Sequence, residues 1–233
     1  MNVIDFGITE YKEILELQLK LFEKLVEDKR TGKVGEEIIL IGEHPSVITL
    51  GRRANDANIL VSTEILERNG IKLFHIGRGG DVTYHCPGQL IVYPIIDLEN
   101  HGLGVKDYIH LLEETVIRLL AIYGIKGERI EGATGVWIGK GTFDERKICA
   151  IGIKCSRFCT MHGIGLNVVS DLNGFNLINP CGFQDKGVTS IEKEIPLNSD
   201  LKGGIIMEEI KKKFLEIFFS LIFPFQEILH FTK

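Results

Sequence analysis

The sequence predicts an α/β (α+β) fold: a single domain, residues 1–233, of mixed β-sheets flanked by helices. Three observations predict it. Apolar residues recur at helical spacing in three well-separated stretches. Short β-type runs closed by glycine fill the intervals between them. Neither a glycine- or serine-rich linker nor an internal repeat divides the chain, and 233 residues suffice for one large core.

The first helix covers residues 10–27, where Tyr11, Ile14, Leu15, Leu21, Phe22, Leu25 and Val26 fall near a helical period with charges between them. A strand, EEIILIG, follows at 36–42, then SVITLG and KLFHIG, and a longer run, QLIVYPIIDL, at 89–98 that contains Pro94. The second helix spans 106–123, with Tyr108, Leu111, Leu112, Val116, Leu119, Leu120 and Ile122 as its apolar side. Strands return at TGVWIG, at KICAIGIK (147–154) and at TMHGIGLNVV. The last helix begins near Met207 and runs into FLEIFFSLIFPF, 214–225, which holds Glu216 and Pro224, is too short to span a bilayer, and reads as a buried helix end.

A net charge of −5 argues against a general nucleic-acid binder. An odd count of five cysteines and the absence of a signal peptide point to a cytoplasmic protein with free thiols, and no exposed apolar stripe suggests anything beyond a monomer.

Two stretches concentrate chemistry. GRGGDVTYHCPGQLIVYP, 77–94, alternates Arg78, Asp81, Thr83, Tyr84, His85 and Gln89 with glycines, so backbone N–H groups and polar side chains converge as in a binding loop. It lacks the lysine and following helix of a phosphate loop. In ERKICAIGIKCSRFCTMHGIGLN, 145–167, strict strand alternation places Lys147, Cys149, Ile151 and Ile153 on one face, and Ala150 and Gly152 on the other, where they leave space for a ligand chain. A lysine on an apolar face either snorkels to water or is a partly buried amine able to exchange a proton. Cys149, Cys155 and Cys159 lack a C-x-x-C pair, so no metal site is expected. A third feature is the turn LINPCGF, 177–183, in which Pro180 and Gly182 fix a tight backbone around Cys181. A thiol needs a cation or base nearby to act as a nucleophile at neutral pH, and Lys147, His85 and His162 are the candidates.

Taken together, EHPSVITLGRRAN at 43–55, RGGDVTYHCPGQLIVYP at 78–94, GVWIG at 135–139, KICAIGIK at 147–154, HGIGLNV at 162–168 and INPCGF at 178–183 stand in the order found in one family. Over nearly its whole length the chain resembles the lipoyl(octanoyl) transferases of the biotin/lipoate protein ligase superfamily. The resemblance implies a biotin/lipoate protein ligase-like fold. It also implies transfer of an octanoyl group from acyl carrier protein, through an enzyme thioester, to a lysine of lipoyl domains such as those of 2-oxoacid dehydrogenase complexes and the glycine cleavage H protein. Cys181 matches the family's acyl-accepting cysteine and Lys147 the lysine that activates it. Arg78, Gly79, Gly80, Asp81, Val82, Thr83, Tyr84 and His85, then Ala150, Ile151 and Gly152, then Gly163, Ile164 and Gly165, match the substrate-binding segments. No cofactor and no metal is implied, since thioester exchange is nearly isoenergetic. One departure stands out: Cys86 replaces the family's usual glycine, which implies a cost if that position needs φ > 0 and raises the possibility of an oxidative disulfide with Cys181. The nearest alternative is an ATP-dependent lipoate or biotin ligase, which needs no acyl-cysteine. A non-catalytic protein that binds an acyl chain or lipoyl domains is the alternative of a different class.

Overall fold

In chain order the elements are β1 (Asn2–Ile8), α1 (Tyr11–Arg30), β2 (Ile38–Glu43), β3 (Val47–Leu50), α2 (Thr63–Arg68), β4 (Lys72–His75), β5 (Val82–His85) and β6 (Gln89–Ile95). They continue with α3 (Val105–Ile122), β7 (Glu128–Ile130), β8 (Ala133–Ile138), β9 (Arg146–Ser156), β10 (Cys159–Asn167), β11 (Gly187–Val188), α4 (Ile191–Glu194) and α5 (Met207–Ile222). The structure, a computed structural model, describes residues 1–179, 186–195 and 204–224. No described helix is long and apolar enough to cross a membrane.

Two mixed sheets result. The larger runs β1-β2-β6-β10-β9-β8-β7, with β11 alongside β9, and the smaller runs β4-β3-β5. β1 with β2, β3 with β4 and β11 with β9 are parallel, and the remaining pairs are antiparallel. One face of the large sheet, with Leu90, Val92, Ile164 and Leu166, packs on the apolar stripes of α3 and α5, where Leu112, Val116, Phe214 and Phe218 are fully buried. The other face, with Ile91, Tyr93, Ile95 and Met161, receives Ile14, Phe22 and Leu25 of α1. The small sheet has its own core of Ile48, Leu50, Val82, Tyr84, Cys86 and Phe175, and its remaining side helps to enclose a cleft over β9 and β10.

Local chemistry accounts for the joints. β9 and β10 form a hairpin whose two turn residues, Arg157 and Phe158, both have positive φ, the geometry that follows strand twist in a two-residue loop. Pro94 has no N–H to give, and there the Thr160 hydroxyl donates to the Pro94 carbonyl at 2.9 Å.

Two expectations need correction. Strict alternation in β9 fails, because Val136 pairs with Cys149 and Trp137 with Lys147, which leaves Ile148 as an extra residue in a β-bulge. Ile148 and Cys149 therefore both enter the α3/α5 core, and Lys147 shares a face with Ala150 rather than with Cys149, Ile151 and Ile153. Cys86 is not at a positive-φ position. Its side chain is 1% exposed in the small-sheet core with its thiol toward the Asp171 carbonyl, so it replaces glycine without backbone strain.

Candidate active site

The floor of the cleft follows from register. Gly152 lies opposite Gly163 and Ala150 opposite Gly165, and directly opposed residues share a sheet face. A patch of β9 and β10 thus carries nothing larger than a methyl group. A Cβ on Gly165 would sit 2.8 Å from Gln89 Oε1, so the neighbouring side chains are fitted to bare backbone there. Over this floor stand two adjoining chambers, of about 490 and 290 Å3 including the open space at their mouths, which share Thr83, Ala150 and Gly165. From Ala150 to Gly152 the floor runs about 7 Å, the scale of a medium-length alkyl chain.

The larger chamber is walled by Tyr11 and Tyr93, by His85 and His162, and by Arg78. Tyr11 lies at the start of α1, whose apolar stripe crosses β6 and β10, so one face of that helix ends at the cleft. The Arg78 guanidinium is buried, and donates to the Thr49 carbonyl at 2.7 Å, the Thr49 hydroxyl at 3.0 Å and the Gly79 carbonyl at 2.9 Å.

Three imidazoles are neutral here: His85 and His162 in the wall, and His44 packed behind it against Tyr11, Tyr93 and His85. Burial, which penalises the charged form, lowers the pKa of His44 to about 4 and those of His85 and His162 to about 3. For His85, nearby His44 and Arg78 add to the effect. Hydrogen bonding fixes the tautomer of His85. The Gln89 amide N–H donates to the Tyr84 carbonyl and to Asn167 Oδ1, and the Asn167 amide N–H donates to the Thr189 carbonyl. Gln89 Oε1 is therefore the acceptor of the 2.6 Å bond to His85, whose Nδ1 carries the proton and whose Nε2 keeps its lone pair. By the same reasoning His44 Nδ1–H donates to the Thr9 carbonyl at 2.7 Å, and its Nε2 accepts the Tyr93 hydroxyl at 3.1 Å. His162 has φ near 60°, a region costly for a non-glycine residue, and its backbone N–H donates to Gln18 Oε1.

Lys147 belongs to the smaller chamber, with Gln89, Asn167, Phe175 and Val188. The bulge turns it there. Its side chain is nearly buried, its Nζ donates to the Thr134 carbonyl at 3.2 Å, and it stands 4.5 Å from the centre of the Trp137 ring. Gly135, at φ 122°, must be glycine, because a Cβ would lie 2.5 Å from the Cys149 carbonyl oxygen. The thiol of Cys149 is pushed up by burial and is a core group.

The expected site residues divide into two groups. Arg78, Gly80, Val82, Thr83, His85, Ala150, Ile151, Gly152, Gly163, Ile164 and Gly165 line the larger chamber, and Lys147 the smaller. Gly79, Asp81 and Tyr84 do not line either. Gly79 N–H holds the loop to the Ile153 carbonyl, Asp81 accepts from Asn58 and the Asn55 N–H, and Tyr84 bonds Ser46 and packs on Phe175. Cys181 lies outside the described residues, as does any disulfide it would form. Tyr11, Ile76, Tyr93 and Asn167 line the cleft without having been marked by the sequence; in α1 and β6 the two tyrosines read as ordinary core residues. His162, a candidate partner of the thiol, stands in the chamber that Lys147 does not line.

The description "Lipoyl protein ligase A/B catalytic domain" belongs to a family model that matches residues 10–219. Proteins named "Octanoyltransferase" from Parabacteroides distasonis and Bacteroides fragilis are each 49% identical to this chain, the first over 92% of it and 96% of the relative, the second over 90% and 92%. Among solved structures, the bipartite lipoate protein ligase of Thermoplasma acidophilum has a TM-score of 0.66 at 16% identity, covering 95% of this chain and 82% of that one. A lipoate-protein ligase A bound with ATP has a TM-score of 0.65 at 16% identity, covering 95% and 86%. These two establish likeness of fold.

Proposed function

This chain belongs to the lipoyl protein ligase A/B catalytic domain family and is an acyltransferase of the lipoyl(octanoyl) transferase type, and on that premise we propose the route of the acyl group through it. The octanoyl group arrives as a thioester of acyl carrier protein. The Cys181 thiolate attacks the carbonyl, the tetrahedral intermediate collapses, and the carrier's thiol leaves with the proton that Lys147 received from Cys181. The alkyl chain lies along the glycine floor. A lysine amine of a lipoyl domain then attacks the enzyme thioester, gives its surplus proton to Lys147, and departs as the amide while Cys181 returns to thiolate. Lipoyl domains of 2-oxoacid dehydrogenase complexes and the glycine cleavage H protein fit as acceptors.

The observation that carries this reading is the placement of Lys147. The bulge at Ile148 puts a lysine on the same face as an alkyl-wide floor that carries nothing larger than a methyl group, and the backbone of Val188, seven residues after Cys181, pairs with Lys147 itself. His85 serves as a hydrogen-bond acceptor rather than a base, since a group with a pKa of about 3 binds almost no proton at neutral pH.

Intact-protein mass after mixing with octanoyl-acyl carrier protein, without ATP, tests the route. The wild type should gain one octanoyl group that hydroxylamine removes, and Cys181→Ala should gain none. No adduct on either protein, with an acyl-adenylate formed once octanoate and ATP are supplied, would replace the transferase by a ligase.

A further inference from the structure

Glu113 is a buried carboxylate in the middle of α3, 5% exposed, and it does not line the cleft. Its Oε1 accepts the Gly135 N–H at 3.1 Å, and its Oε2 accepts Arg129 Nε at 3.0 Å. The Gly135 N–H and the Thr134 carbonyl belong to one planar peptide group, and that carbonyl is the acceptor for Lys147 Nζ at 3.2 Å. Carboxylate, peptide and amine therefore form a continuous chain. A negative charge at the N–H end polarises the peptide and makes its oxygen a stronger acceptor, an effect that water does not dilute in a buried site. Neutralising Arg129 does not require Glu113, because Arg129 also pairs with Glu114 at 2.8 Å and donates to the His110 carbonyl.

We propose that Glu113 is a positioning residue for acyl transfer: through the Thr134–Gly135 peptide it orients and polarises the carbonyl that holds Lys147. The proposal rests on the role given to Lys147 above. Among the described residues, the charged and titratable groups around the chain include Arg129 on β7, His110 and Glu114 on α3, Cys149 on β9, and Lys186, which with Lys147 faces Trp137.

The test is the pH–rate profile of octanoyl transfer for wild type, Glu113→Gln, Arg129→Met and Lys147→Ala, with thermal melts alongside. Glu113→Gln keeps an oxygen for the Gly135 N–H and removes the charge. It should move the limb of the pH–rate profile down by about half to one pH unit, the size of a charge effect across one peptide in a partly screened site, with KM changed less than about twofold. Arg129→Met leaves the carboxylate without its cation and should move the limb up. A strut that merely joins α3 to β8 produces no such pair of opposite shifts. Folded variants whose profiles overlay the wild type, with Lys147→Ala inactive, would overturn this inference alone. A fully active Lys147→Ala would overturn it together with the role of Lys147. Should Glu113→Gln fail to fold, Arg129→Met carries the test with its own sign.

Discussion

Mild acid should destabilise this protein through three buried imidazoles, two in the cleft wall and one packed behind it. His44, His85 and His162 are held neutral by burial, at pKa values of about 4, 3 and 3 against an ordinary 6.5. As pH falls through 6.5, each of them takes up a proton in the unfolded chain and not in the folded one. Stability follows the difference in bound protons, so it is fully present above the unfolded value and declines below it. At pH 5 each imidazole accounts for about 2 kcal/mol of lost stability, and the three for about 6, against a total of ~5–15 for an ordinary domain. Near pH 5 the slope should be about 4 kcal/mol per pH unit from these groups alone. His162→Asn, chosen because asparagine tolerates the positive φ of that position, should reduce the slope by about 1.4. Urea titrations followed by circular dichroism at several pH values between 7.5 and 5 measure it. A change below about 1 kcal/mol per pH unit over that range would refute the reasoning, since it would mean that the wall accepts protons without unfolding.

Two other outcomes are expected. Ala150→Leu, at a residue shared by both chambers, should lower kcat/KM for an octanoyl donor at least about tenfold and for a butyryl donor much less, as steady-state rates with donors of graded length would register. Cys86, buried and with its thiol pushed up to about 11, should resist iodoacetamide in the native protein at neutral pH and react on unfolding; peptide mass mapping that found it labelled as fast as a free thiol would contradict its place in the small-sheet core.

The three long helices were legible in the sequence because a buried stripe imposes a period, and α1, α3 and α5 each have one broad apolar partner, whereas the short α2 and α4 carry no such period. β5 was hidden. Its four residues sit among glycines and polar side chains that read as a loop, and among the described residues it pairs only with β3. β1 was hidden for a different reason: it is an edge strand with both faces largely exposed, so no alternation marks it. At the site, the glycine segments could be found because bare backbone is itself a compositional signal. Tyr11 and Tyr93 could not, since a tyrosine that walls a cavity and one that fills a core have the same periodicity. Their role depends on α1 crossing β6 and β10, which is a tertiary fact.

The face of Lys147 shows where pattern reasoning fails for a physical cause. Period-two alternation assumes one residue per ladder step, and Ile148 breaks that assumption by entering the core beside Cys149. Without the extra residue, a strand with Ala150 and Gly152 on the cleft side would turn Lys147 toward the helix-covered face of the sheet, where the cost of desolvating an ammonium is several kcal/mol. With it, the apolar side of β9 is kept continuous, the glycine floor stays open, and the amine reaches the Thr134 carbonyl and the Trp137 ring on the cleft side of the sheet. One strand thus serves a core, a glycine floor and a lysine at once. The bulge is what lets these three demands coexist, because each of them, read alone, would require a different register.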